Sequence, residues 1–153
     1  MKRNLGFTVI ELIVVFAIIA VLSTIGIAAF VNYGRFQAVQ SVASDLNSSL
    51  NLTKSRAISQ TKPPQCYTQI LNGYRFNVIL GSNTYNIEAV CSGISYVVLS
   101  KALPANVSFS SQTTSTSFFF PVIASGVQGA GTIVITGYGQ TKNIVVDSIG
   151  GIK

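Results

Sequence analysis

A long apolar run at the start of the chain limits what the rest can be. Lys2 and Arg3 precede Gly6, and residues 7–31 then read FTVIELIVVFAIIAVLSTIGIAAFV. An α-helix rises about 1.5 Å per residue, so this run reaches roughly 37 Å, enough for the ~30 Å hydrocarbon core of a bilayer. One carboxylate, Glu11, lies inside it. A carboxylate there costs about 2.5–3.5 kcal/mol on insertion scales, which makes it a functional residue until a bland role is found for it.

Three readings compete for this segment. A secretory signal peptide has an apolar core of only about 7–15 residues, ending at a small-x-small cleavage site. This run is longer, and Glu11 interrupts its beginning. An ordinary signal anchor accounts for the length and for Lys2 and Arg3, but not for Glu11. The third reading rests on the whole stretch KRNLG/FTVIEL: a short basic leader, Gly6, the aromatic Phe7, and Glu11 ahead of the long apolar run. This stretch resembles the type IV prepilin motif. The resemblance implies that a membrane-embedded prepilin peptidase cuts between Gly6 and Phe7 and methylates the new Phe7 amine. It also implies that Glu11 faces the Phe7 amine of a neighbouring pilin or pseudopilin subunit. The bland alternative for Glu11 is snorkelling to the cytoplasmic interface.

By the positive-inside rule, Lys2 and Arg3 stay cytoplasmic and the bulk of the chain crosses the inner membrane. The chain has 153 residues, 9% of them charged and 48% hydrophobic, which suits one membrane-anchored domain that works within an assembly. The formal charge of +6 becomes +4 without Lys2 and Arg3 (6 − 2), an excess spread along the sequence that does not specify a nucleic-acid partner. Cys66 and Cys91 would lie in an oxidising compartment, where two cysteines permit one disulfide. Two buried free thiols are the alternative. With no His, and with only Glu11, Asp45, Glu88 and Asp147 acidic, a catalytic constellation is not expected, nor a metal or cofactor site. Glu88 and Asp147 read as solvated strand charges.

Past residue 31 the helical pattern continues, with Phe36, Val39, Ala43, Leu46, Leu50, Thr53 and Ala57 at three- and four-residue spacing. Gln37, Gln40, Ser41, Asp45, Asn47, Lys54 and Arg56 fall on the wet side. The helix should end near Gln60, because Pro63 and Pro64 cannot extend it. Its weak point is Ser23-Thr24-Ile25-Gly26, where Gly26 either permits local melting or lets helices pack closely. Short β-type runs follow at residues 74–80, 85–91, 95–99, 107–109, 118–123, 132–136 and 144–147. Hairpin turns are expected at Ser82-Asn83 and Gly137-Tyr138-Gly139, and residues 110–117, SSQTTSTS, read as a polar loop. The expected fold is α+β, a long N-terminal helix packed on an antiparallel sheet or small β-sandwich. The expected divisions are a leader at 1–6, a membrane and filament-core helix at 7–31, an amphipathic half-helix at 32–60, and a β-rich domain at 61–153.

The amphipathic stretch VASDLNSSLNLTKSRAISQ and the terminal TIVITGYGQTKNIVVDSIGGIK resemble the GspH/FimT group of minor pseudopilins and minor pilins. The resemblance implies a minor subunit of a type II secretion pseudopilus or a type IV pilus. Some members of that group take up DNA through a basic GRxR-like C-terminal motif. The matching positions here are Gly150-Gly151-Ile152-Lys153, with a single cation, so DNA is the alternative partner. A plain signal-anchored surface domain is the other alternative.

Overall fold

The computed structural model describes residues 8–123 and 126–153; of Ile25, Gly26 and Ala28 only the backbone is described. Gly6 and Phe7 lie outside the described residues. Among the described residues one α-helix, α1 (Val9–Ile58), is followed by seven strands: β1 (Leu71–Ile79), β2 (Thr84–Cys91), β3 (Ile94–Ala102), β4 (Val107–Phe109), β5 (Ser117–Pro121), β6 (Gly131–Gly137) and β7 (Gln140–Val146). The chain divides into two compact units between Phe36 and Gln37.

In the first unit, α1 begins at Thr8, whose Oγ1 accepts the Glu11 N–H at 3.3 Å. This is an N-cap bond, satisfying one of the amides that the first turn leaves free. The helix is unbroken through residues 23–26. There the Ser23 hydroxyl donates to Ile19 O and the Thr24 hydroxyl to Val21 O, both at 2.7 Å, so neither polar group is left bare on an apolar helix. Ile10, Phe16, Leu22 and Phe30 remain 63–76% exposed, leaving this part of α1 apolar on its outside. Among the described residues, α1 is the one helix long and apolar enough to cross a membrane.

In the second unit, Val39, Val42, Ala43, Leu46, Leu50, Thr53 and Ala57 are buried and form the core stripe of α1. Two expectations need correction. Phe36 is 39% exposed, so the stripe starts at Val39. Asn47, Lys54 and Arg56 are half-buried, not on the wet side; Lys54 reaches Gly150 O of the C-terminal turn at 2.8 Å. The helix closes with Gln60 in the left-handed region (φ 52°). Gln60 N then donates to Ala57 O and Thr61 N to Arg56 O, both at 3.1 Å. This pair of bonds is a Schellman cap, which consumes carbonyls the last turn would otherwise leave free.

The strands form a four-stranded sheet in the order β3-β2-β1-β5 and a three-stranded sheet in the order β4-β6-β7, with antiparallel pairing throughout. Two turns have consecutive positive φ, Ser92-Gly93 (49° and 85°) and Tyr138-Gly139 (51° and 75°), the geometry that matches strand twist in tight hairpins. Phe76 stacks on Tyr85 with ring centroids 5.1 Å apart, and Phe118, Ile87, Ile133, Ile135 and Ile144 fill the core around them. Gly73 stands beside Phe119 of β5, whose ring occupies the place a side chain at 73 would take, with Cζ 2.7 Å from an added Cβ. The polar run at 110–116 is tied to β6. Ser110 N donates to Val134 O, Thr114 N to Thr132 O, Val134 N to Thr113 Oγ1 and Thr132 N to Thr114 Oγ1.

Candidate assembly site and its supports

Glu11 occupies the first turn of α1, held there by the Thr8 cap. It shares a shallow apolar cleft of about 170 Å³ with Leu12, Val15 and Phe16. Among the described residues its carboxylate has no ion-pair partner. A carboxylate set among apolar side chains can accept a cation, and it gains most from one where water is excluded. The residues proposed to supply that cation and to be cut, Phe7 and Gly6, lie outside the described residues.

Cys66 and Cys91 are both fully buried and joined as a disulfide, with Cα atoms 5.8 Å apart. The bond ties the segment following α1 to the end of β2. The Tyr74 hydroxyl fixes the same segment by donating to Thr61 O at 2.5 Å. Burial pushes the Tyr74 phenol up, although the Arg56 charge opposes the shift.

A polar network joins the helix to the first sheet. The Tyr85 hydroxyl donates to Asp45 Oδ2 at 2.7 Å, Lys101 Nζ donates to Asp45 Oδ1 at 2.9 Å, and Ser49 Oγ lies 3.1 Å from the Tyr85 hydroxyl. Burial pushes the Asp45 carboxyl up, but hydrogen bonds from Lys101 and Tyr85, with the Lys101 charge, outweigh it and hold Asp45 below its usual 3.8. The folded state therefore binds the Asp45 proton less tightly than the unfolded chain does. Its stabilising contribution is full above the unfolded value and is lost as pH falls through the lower folded value. Acid unfolding of the wild type should show this loss below about pH 4, and Asp45→Asn should flatten that part of the curve. Identical acid profiles for the two proteins would remove Asp45 as a determinant.

Glu88 and Asp147 are not the solvated charges the sequence suggests. Glu88 is 9% exposed, with Oε2 3.7 Å from Arg75 Nη1. Arg75 also donates to Ser95 Oγ at 2.9 Å and lies 5.8 Å over the Phe119 ring. Three neighbouring strands supply these partners, an arrangement that the sequence pattern alone does not disclose. Asp147 Oδ1 accepts from Ile149 N at 3.1 Å and Gly151 N at 2.6 Å, shaping the C-terminal turn. Lys54 Nζ donates to Gly150 O at 2.8 Å, and Ile152 pairs with Val146. A side chain at Gly151 would overlap the Asp147 carboxylate, and Gly150 has φ 80°, a conformation that favours glycine.

Residues 1–27 match the family described as the prokaryotic N-terminal methylation motif. No curated protein matches the sequence. Among solved structures, the chain is similar to the minor pseudopilin EpsH from the type 2 secretion system of Vibrio cholerae. The TM-score is 0.54 at 12% identity, over 74% of this chain and 93% of that one. The fold is pilin-like. A long N-terminal helix whose second half packs on antiparallel sheets, beginning within a methylation motif, is the architecture that this fold and this motif share. Each of the seven described strands overlaps its apolar run, with ends displaced by no more than four residues.

Proposed function

We infer that this protein is a minor pilin or pseudopilin, a structural subunit with no catalytic role of its own. The observation that carries the reading is the combination of a methylation motif at residues 1–27 with the fold of a minor pseudopilin behind it. The precursor sits in the inner membrane through the helix spanning 7–31, with its β-rich domain outside the cytoplasm. Prepilin peptidase removes 1–6 and methylates Phe7. Glu11 then pairs with the Phe7 amine of a neighbour, which sets the register between subunits more than the affinity. The contact is heterologous and does not close, so repetition builds a helical filament. The amphipathic half-helix and the domain at 61–153 form its outer layer, stapled by the Cys66–Cys91 disulfide.

The C-terminal loop favours assembly over DNA binding as the role. A cationic side chain at Gly151 would have to displace Asp147 from the two amides it holds, and Lys153 alone is a weak phosphate anchor.

Processing is the direct test. In a host with active prepilin peptidase, intact-mass analysis should show loss of residues 1–6 plus one methyl group on Phe7. Gly6→Val should accumulate as precursor, because the added side chain crowds a peptidase site shaped for glycine. A wild-type chain that keeps its leader beside active peptidase would sink the reading.

A further inference from the structure

Arg35 is the first charged residue of α1 after Glu11. Residues 12–34 carry no charge, and at about 1.5 Å per residue they extend roughly 35 Å along the helix axis. The hydrocarbon core of a bilayer takes about 30 Å, and each headgroup layer adds roughly 5–7 Å. About four or five helical residues therefore cross one headgroup layer. Beyond Val31 those residues are Asn32, Tyr33, Gly34, Arg35 and Phe36, all within the first unit.

The chemistry of the helix changes at that level. Ile27 and Phe30 are wholly apolar and 65% and 76% exposed. Tyr33 is 62% exposed and ends in a hydroxyl, and the exposed Arg35 is a cation. Tyrosine gathers at membrane–water boundaries because its ring is apolar and its hydroxyl is not. Arginine presents a planar fork of donors that matches phosphate oxygens two at a time. Phe30, Tyr33 and Phe36 follow one another at three-residue steps, so their rings neighbour each other along the helix. Gly34 has open space where a Cβ would stand, so on that face nothing separates the helix from its surroundings.

We propose that residues 32–36 form a lipid-headgroup site, in which Arg35 binds the phosphate of a phospholipid in the leaflet facing away from the cytoplasm. Tyr33 lies at the boundary, with its ring toward the hydrocarbon and its hydroxyl among the headgroups. The proposal rests on the membrane anchoring inferred above and adds where the anchor stops and what holds it there. Lys2 and Arg3 hold the span at the cytoplasmic face, and Arg35 holds it at the other. The helix then cannot slide along its axis without breaking a cation–phosphate contact, and entry into a filament requires release of Arg35 from its lipid.

The test uses the full-length chain, isotope-labelled at its guanidinium carbons and reconstituted in vesicles of phosphatidylethanolamine and phosphatidylglycerol. Solid-state NMR reads the dipolar coupling of those carbons to lipid phosphorus. Of Arg3, Arg35, Arg56 and Arg75, the first two should couple, so Arg35→Gln should lose about half of the coupled signal. A second measurement reads depth, with the Cys66–Cys91 disulfide intact and a membrane-impermeant maleimide outside the membrane. Gln40→Cys should react about tenfold faster or more than Ala29→Cys, whose thiol sits in hydrocarbon. Adding Arg35→Gln to the Ala29→Cys chain should speed its reaction several-fold, because the span is no longer held. A coupled signal unchanged by Arg35→Gln, or equal rates at the two thiols, would overturn the proposal. If the chain giving such a result stays with the vesicles through alkaline extraction and is still cut after Gly6, the anchored-subunit reading stands. A chain released by alkali would remove both.

Discussion

Glu11→Ala should yield a chain that inserts and is cut normally but fails to enter filaments. Removing the carboxylate eases membrane insertion by about 2.5–3.5 kcal/mol, so anchoring does not suffer. The Thr8 cap on the Glu11 amide uses main-chain atoms of residue 11 and survives the change, so the helix start is kept. On the proposed assembly, what is lost is the acceptor for a neighbour's Phe7 amine. Leaving one charge of a buried pair unmatched costs about 3–5 kcal/mol. At 1.4 kcal/mol per decade, incorporation should fall by roughly two orders of magnitude or more. The measurement compares wild type and Glu11→Ala in sheared filaments, or in pull-down with other subunits, at equal membrane levels. Equal incorporation would reduce Glu11 to an interfacial residue and leave the assembly proposal without its central contact.

Loss of the Cys66–Cys91 bridge should have the second largest effect. The cysteines are 25 residues apart in sequence, and closing a loop of that size stabilises the fold by about 3.5 kcal/mol in the chain-entropy model. Both side chains are fully buried, so reduction also leaves two thiols inside a packed core. The double variant Cys66→Ser/Cys91→Ser should unfold on the order of 10–20 °C below the oxidised wild type. Thiol alkylation of the native, non-reduced protein should label neither cysteine. A melting temperature unaffected by reductant would mean that the bridge adds nothing, and that packing around Phe76 and Tyr85 carries the fold alone.

Elements governed by local rules were the easiest to read from the sequence. The stripe from Val39 to Ala57 follows helical spacing, and the seven strands follow runs of Val, Ile, Tyr and Phe between turn residues. The end of α1 was legible from Pro63 and Pro64, although the left-handed Gln60 that closes it was not, since glutamine carries no turn signal. Polar residues with partners distant in sequence were harder to read. Lys54 leaves the wet side to meet Gly150 across 96 residues, while Asp45, exposed as expected, meets Lys101 across 56, a contact the pattern does not disclose. Glu88 looks like a surface charge in its own strand, but β1 brings Arg75 beside it, and Arg75 in turn is held by Ser95 of β3 and lies over Phe119 of β5. At the N-terminus the legibility came from a motif: the spacing of Gly6, Phe7 and Glu11 has no counterpart in helix or strand periodicity.

The segment SSQTTSTS has the composition of a cleavable linker, yet its backbone is spoken for. Two of its amides and two of its hydroxyls bond to groups of β6. A protease must draw several residues of substrate into an extended conformation before it can cut, and here that requires opening the seam to Thr132 and Val134 first. The seam thus acts as a lock against digestion, with no bulky or charged side chain needed to block access. Limited subtilisin treatment should leave residues 110–116 intact under native conditions. Thr113→Ala/Thr114→Ala, which removes both hydroxyls, should turn the same stretch into an early cleavage site. A domain built this way would resist digestion at its most polar segment without relying on a tight loop.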